Sequence, residues 1–182
     1  MKENMKEAYK NLYQNICDTV KEWEIKIGYR KEEIQLYYPE ESLLELLETD
    51  KDSLKGILEE FCVALKEQMG DMMIYETEEK GRYCVRISAQ GVSYVHENLP
   101  ESAFLKAFLQ VVTAPGKKLE DVCQVFYDFS GEVTIEKVEE REWGIWFTEW
   151  DIDSYVYYVE EDEFGLEYHR FTKEAYQKLI SA

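Results

Sequence analysis

Val133-Thr134-Ile135-Glu136-Lys137-Val138, Trp143-Gly144-Ile145-Trp146-Phe147-Thr148, Tyr155-Val156-Tyr157-Tyr158-Val159 and Leu166-Glu167-Tyr168-His169-Arg170-Phe171 decide how this chain is read. These are four short runs rich in β-branched and aromatic residues, and only short polar segments separate them. Parallel strands need crossover connections of a dozen or more residues, so this spacing predicts a four-stranded antiparallel meander. Thr172 then caps a last helix to about Ile180. Ahead of the sheet, Pro100 opens an apolar helix over Ser102 to Val112. The loop Thr113-Ala114-Pro115-Gly116 leads to another helix, from about Leu119 to Phe129.

The N-terminal half reads differently. From about Lys2 to Ile27, apolar residues recur at Met5, Ala8/Tyr9, Leu12/Tyr13, Ile16/Cys17, Val20, Trp23 and Ile27, the stripe of one helix. Ile34, Leu36 and Tyr38 alternate with polar neighbours up to Pro39, which predicts a short strand. Helices follow over about Glu41 to Leu47 and Asp52 to Gln68, the second stopped by Gly70. Met72 to Glu78 and Arg82 to Ile87 form a hairpin about Glu79-Lys80-Gly81, and Ser88 caps a helix to about Asn98. The predicted class is α+β: a helical N-terminal half, two helices, an antiparallel meander and a C-terminal helix. A boundary near Leu99-Pro100 would give units 1–98 and 99–182, or one continuous domain.

The order helix, strand, two helices, hairpin resembles a winged-helix domain, with Asp52 to Gln68 in place of the recognition helix and Glu78-Glu79-Lys80-Gly81 as the wing. Winged helices commonly bind DNA through basic side chains. Here Glu59, Glu60, Glu67, Glu78 and Glu79 face Lys55 and Lys66 on the equivalent elements, so the resemblance implies protein contacts or dimerisation. The whole chain is also similar to an uncharacterised bacterial family of unknown function, notably at Tyr37-Tyr38-Pro39 leading into Ser42-Leu43-Leu44-Glu45-Leu46-Leu47.

Charge narrows the function classes. The 182 residues carry 39 acids against 21 bases, a formal net charge of -18. Such a chain has little to offer a phosphate backbone and is repelled by anionic membranes, so neither nucleic acid nor membrane is expected as a partner. Cys17, Cys62, Cys84 and Cys123 show no metal-site spacing and read as reduced core thiols, which fits a cytoplasmic location. The N-terminus lacks the apolar stretch of a signal peptide, and no run is long enough for a membrane span.

Acidity concentrates in the sheet region, where thirteen acids between Glu132 and Glu167 face only Lys137 and Arg141. In a meander the first and third turns share one end. Glu139, Glu140 and Glu142 should therefore approach Glu160, Glu161, Asp162 and Glu163. Solvated turns, a docking rim for a basic protein, and a divalent-cation site are the three readings of that rim. Strand alternation puts Trp143 and Phe147 on one side and Trp146 and Trp150 on the other, with Tyr158 on the same dense sheet. An aromatic face either packs under other elements or binds a partner.

Several motifs read as ordinary structure: His96 and His169 lie on separate elements, Pro115-Gly116-Lys117-Lys118 precedes a helix without a phosphate-loop pattern, and Asp151-Ile152-Asp153 sits in a chain already crowded with acids. No catalytic residue, cofactor or metal ligand is assigned. The leading expectation is a non-catalytic protein-interaction module that binds a basic protein through Trp146, Trp150, Tyr158 and the carboxylate rim, with homodimerisation open. A winged-helix transcription-associated regulator and a carboxylate- or metal-dependent enzyme are the alternatives.

Overall fold

The computed structural model describes residues 7–28 and 32–181. The expected helix start at Lys2, with Met5, lies outside them, as does the side chain of Ala8. Contacts group the chain into two compact units, Met1–Glu101 and Ser102–Ala182.

In the first unit, helix α1 (Glu7–Ile27) buries Tyr9, Leu12, Tyr13, Ile16, Cys17 and Val20 at helical spacing. The buried apolar stripe ends there: Trp23, expected inward, is 40% exposed. Strand β1 (Ile34–Pro39) alternates as the sequence predicts, with Ile34, Leu36 and Tyr38 inward. The Tyr38 hydroxyl donates to Asn15 Oδ1 at 2.7 Å, which gives its polar end a partner.

Helix α2 (Glu40–Leu46) precedes α3 (Lys51–Ala64), whose N-cap Asp50 accepts from the Ser53 amide at 2.9 Å. The single helix expected from Asp52 to Gln68 is broken. Leu65 leaves helical geometry (φ −99°, ψ 2°), and the chain restarts as the short α4 (Lys66–Met69). Leu58, Phe61, Leu65 and Met69 are all buried and keep near-helical spacing across the break, so periodicity does not reveal it. Gly70, at φ 66°, then ends the segment.

Strands β2 (Met73–Glu76) and β3 (Arg82–Ile87) complete an antiparallel sheet of order β1-β3-β2. β2 stops short of the expected Glu78; the Thr77 amide still donates to the Arg82 carbonyl at 2.8 Å, and the Glu76 carboxylate accepts from the Gly81 amide across the turn. Ser88 caps α5 (Ala89–Asn98) through the Gly91 amide and donates its own proton to the Met69 carbonyl at 2.8 Å.

The second unit contains α6 (Ala103–Val112), α7 (Leu119–Phe129), β4 (Val133–Glu139), β5 (Glu142–Phe147), β6 (Val156–Glu161), β7 (Leu166–Phe171) and α8 (Lys173–Ser181). The four strands form the expected meander in the order β4-β5-β6-β7. Helices α6 and α7 cover its inner face. Phe104 approaches Phe147 at 4.7 Å, Phe108 approaches Tyr157 at 4.5 Å and Phe126 approaches Phe147 at 5.0 Å between ring centroids. Edge-on and tilted pairs of this kind add about 0.5–1.5 kcal/mol each to the burial itself. The Tyr157 hydroxyl, deep in this cluster, donates to Asp153 Oδ2 at 3.0 Å.

The strands also begin and end differently from the sequence reading: β5 starts at Glu142, one residue early, and β6 runs on to Glu161. The sheet therefore continues into residues read as acidic turns. Among the described residues, no helix is long and apolar enough to cross a membrane.

Candidate functional site

Residues paired in register across an antiparallel ladder share a face, so strand pairing locates the acidic side chains. Glu139 pairs with Glu142 beyond a bulge at Lys137/Glu139, Glu142 pairs with Glu160, and Glu160 pairs with Glu167. Four glutamates thus stand side by side on four successive strands. Like charges directly opposite are destabilising by roughly 0.2–1 kcal/mol per pair, and this row contains three such pairs. The Tyr158 hydroxyl donates to Glu142 within the row. Burial first, then that hydrogen bond and the glutamate charges, push this hydroxyl up to about 12.

The two turns do lie at one end of the sheet, joined by the Glu161 amide donating to the Arg141 carbonyl at 3.0 Å. Glu140 and Glu163 are exposed there. Two of the seven rim carboxylates serve the fold itself. Glu161 accepts from the Leu119 amide at 2.9 Å and pairs with Lys118 at 3.5 Å, which places an anion at the N-terminus of α7. Asp162 Oδ1 accepts from the Phe164 and Gly165 amides and closes its own turn. Phe164, at the turn's tip, is 89% exposed beside Glu163.

Glu142, Gly144 and Trp146 alternate along β5, so the carboxylate row and Trp146 occupy the same outer face. Next to Trp146 lies a groove of about 500 Å³ between the sheet and α8, lined by Trp146, Trp150, Tyr176, Ile180, Glu136 and Lys173 among others. The Trp146 and Trp150 rings stack with centroids 6.3 Å apart and planes 16° apart. Trp150 does not continue the strand as alternation suggests. It sits in the following turn at φ 57°, a conformation that bulky residues seldom adopt. Tyr176 reaches over the sheet, donates to Glu136 Oε2 at 2.8 Å, and lies directly above Gly144, the one β5 position with no Cβ.

Sequence reasoning did not single out Glu136, Glu167, Phe164, Lys173 or Tyr176. A glycine inside a strand pattern signals close backbone approach, so Gly144 was the available clue to Tyr176. The remaining motifs resolve locally. Asp153 holds Tyr157 and the Tyr155 amide, and Lys117 pairs with Asp121 at 2.9 Å. His169 tilts against Phe171, and His96 Nδ1 lies 3.5 Å from Glu24. Among the described residues, no group of three or more His, Cys, Asp or Glu side chains is arranged to hold a metal ion.

Neither the curated proteins nor the solved structures contain a match to this chain. Residues 9–180 match the family described as "Domain of unknown function, E. rectale Gene description (DUF3877)", and the chain therefore belongs to this uncharacterised bacterial family.

Proposed function

We propose that this is a non-catalytic, cytoplasmic interaction module that docks a basic protein on the outer face of β4–β7. The observation that carries this reading is the row Glu139–Glu142–Glu160–Glu167, which shares one sheet face with the Trp146 groove. Three adjacent glutamate pairs repel one another in the free fold, whereas a cationic partner would convert that repulsion into attraction and speed its own encounter. The aromatic groove beside the row supplies the apolar anchor that charge alone lacks.

The first unit supports a scaffold or dimer role in the manner of a winged helix: its strand order is β1-β3-β2, and α3 precedes the hairpin. The exposed side of α3 carries Glu59 and Glu60 with Lys55, which disfavours a phosphate backbone.

The test is affinity capture from native lysate with the intact chain and its Glu142→Lys/Glu160→Lys variant, eluted over a salt gradient. A basic protein retained stoichiometrically by the parent, released by rising salt and absent with the variant supports the reading. Equal retention by both, or retention indifferent to salt, overturns it.

A further inference from the structure

The groove on the outer face already holds a cation of its own. Lys173 Nζ lies 5.2 Å from the centroid of the Trp150 ring. Trp146 stacks with that ring, and Tyr176 stands 5.7 Å from Trp146. The Glu136 carboxylate lines the same groove, oriented by the Tyr176 hydroxyl at 2.8 Å. Aromatic faces attract positive charge, and a carboxylate beside them accepts N–H bonds. A guanidinium meets both demands together: it is flat enough to stack, weakly hydrated, and forked to match a carboxylate. An ammonium, a strongly hydrated point charge, meets them less well. The backbone agrees that the indole is held deliberately, since Trp150 keeps a positive φ where glycine would be the ordinary choice.

Building on the docking surface above, we propose that this groove receives an arginine side chain of the basic partner, stacked on the Trp146–Trp150 pair with its guanidinium on Glu136. In the free protein Lys173 stands in for that arginine. Lys173 is exposed, so it can swing into water when the arginine arrives.

Fluorescence anisotropy of a labelled lysine-rich peptide with one central arginine tests this, beside matched peptides bearing citrulline or lysine at that position. Citrulline keeps the planar shape and removes the charge. The intact chain should bind the arginine peptide roughly tenfold tighter than the citrulline one, and Trp150→Leu should erase the difference. Lys173→Met should tighten arginine binding by about two- to fivefold, because it removes the competitor. Should circular dichroism show Trp150→Leu unfolded, the Lys173→Met comparison decides: unchanged or weaker binding overturns the proposal. Equal binding of all three peptides, weakened together by Glu142→Lys, would leave the docking surface standing and sink the arginine assignment. Failure of every peptide to bind the parent protein would sink both.

Discussion

Gly144→Ala is the most direct test of how α8 packs on the sheet. A Cβ at this position would overlap the Tyr176 hydroxyl oxygen and lie 2.5 Å from the ring carbon bearing it. That ring is 2% exposed and bonded to Glu136, so it would have to retreat by about 1 Å to reach the 3.4 Å of ordinary contact. Overpacking of this kind typically costs about 1–3 kcal/mol, and stretching a hydrogen bond to a carboxylate puts a further ~1.5 kcal/mol at risk. We expect Gly144→Ala to destabilise the protein by roughly 2–4 kcal/mol. With Tyr176 cut back to alanine the obstruction is gone, and only the glycine's own backbone entropy remains. In that background the sign reverses, and Gly144→Ala stabilises by about 0.5 kcal/mol. Urea denaturation of the parent, both single variants and the double variant measures the coupling. If Gly144→Ala is harmless in the parent, or costs the same with and without Tyr176, the packing argument is wrong.

Three further outcomes follow from single contacts. Removing the carboxylate that caps α7, by Glu161→Ala, should cost about 1 kcal/mol in thermal unfolding while leaving the neighbouring row intact; no loss would return Glu161 to the free rim. Gly56 sits in the middle of α3, where an added methyl would meet nothing within 4 Å, so Gly56→Ala should raise stability by about 0.5–1 kcal/mol, and a lower denaturation midpoint would show the helix is constrained there. The Tyr158 hydroxyl is raised in the folded protein, so its contribution is fully present below the unfolded value of about 10 and drains away as pH climbs toward about 12. Tyr158→Phe should therefore flatten the decline in urea midpoint above pH ~10; an unchanged slope would place the alkaline sensitivity elsewhere.

The parts of the fold that the sequence exposes are those where side-chain period and backbone period coincide. The alternation at Ile34, Leu36 and Tyr38 and the caps at Ser88 and Thr172 each state a local rule that the chain then obeys. The break at Leu65 escapes because its cause is a backbone torsion that leaves the apolar spacing of Phe61, Leu65 and Met69 undisturbed. The glutamate row escapes for a related reason. Acids next to turn residues read as solvated turn, whereas the ladder that pairs Glu142 with Glu160 depends on register, and register is set by contacts between strands. Trp150 shows the same limit: alternation extends Trp146 by four residues, but the strand ends at Phe147 and the indole arrives in place through an uncommon turn.

The two faces of the same sheet make the functional argument sharper than either feature alone. On the inner face, neighbours complement one another: Phe104, Phe126, Phe147 and Tyr157 pack ring against ring, and the buried Tyr157 hydroxyl has its acceptor. On the outer face, two departures from good packing chemistry meet, the adjacent glutamates and the positive φ of Trp150, beside a lysine ammonium laid over that indole in a favourable cation–π contact. Local conflicts with the rules that stabilise the rest of a fold concentrate where something other than stability is being selected. A partner that brings positive charge to the row and a flat cation to the groove would remove the first conflict, make use of the second and take the place of the lysine. A partner lacking either feature would leave part of that face unexplained, which is why the charged row and the groove are assigned to one ligand.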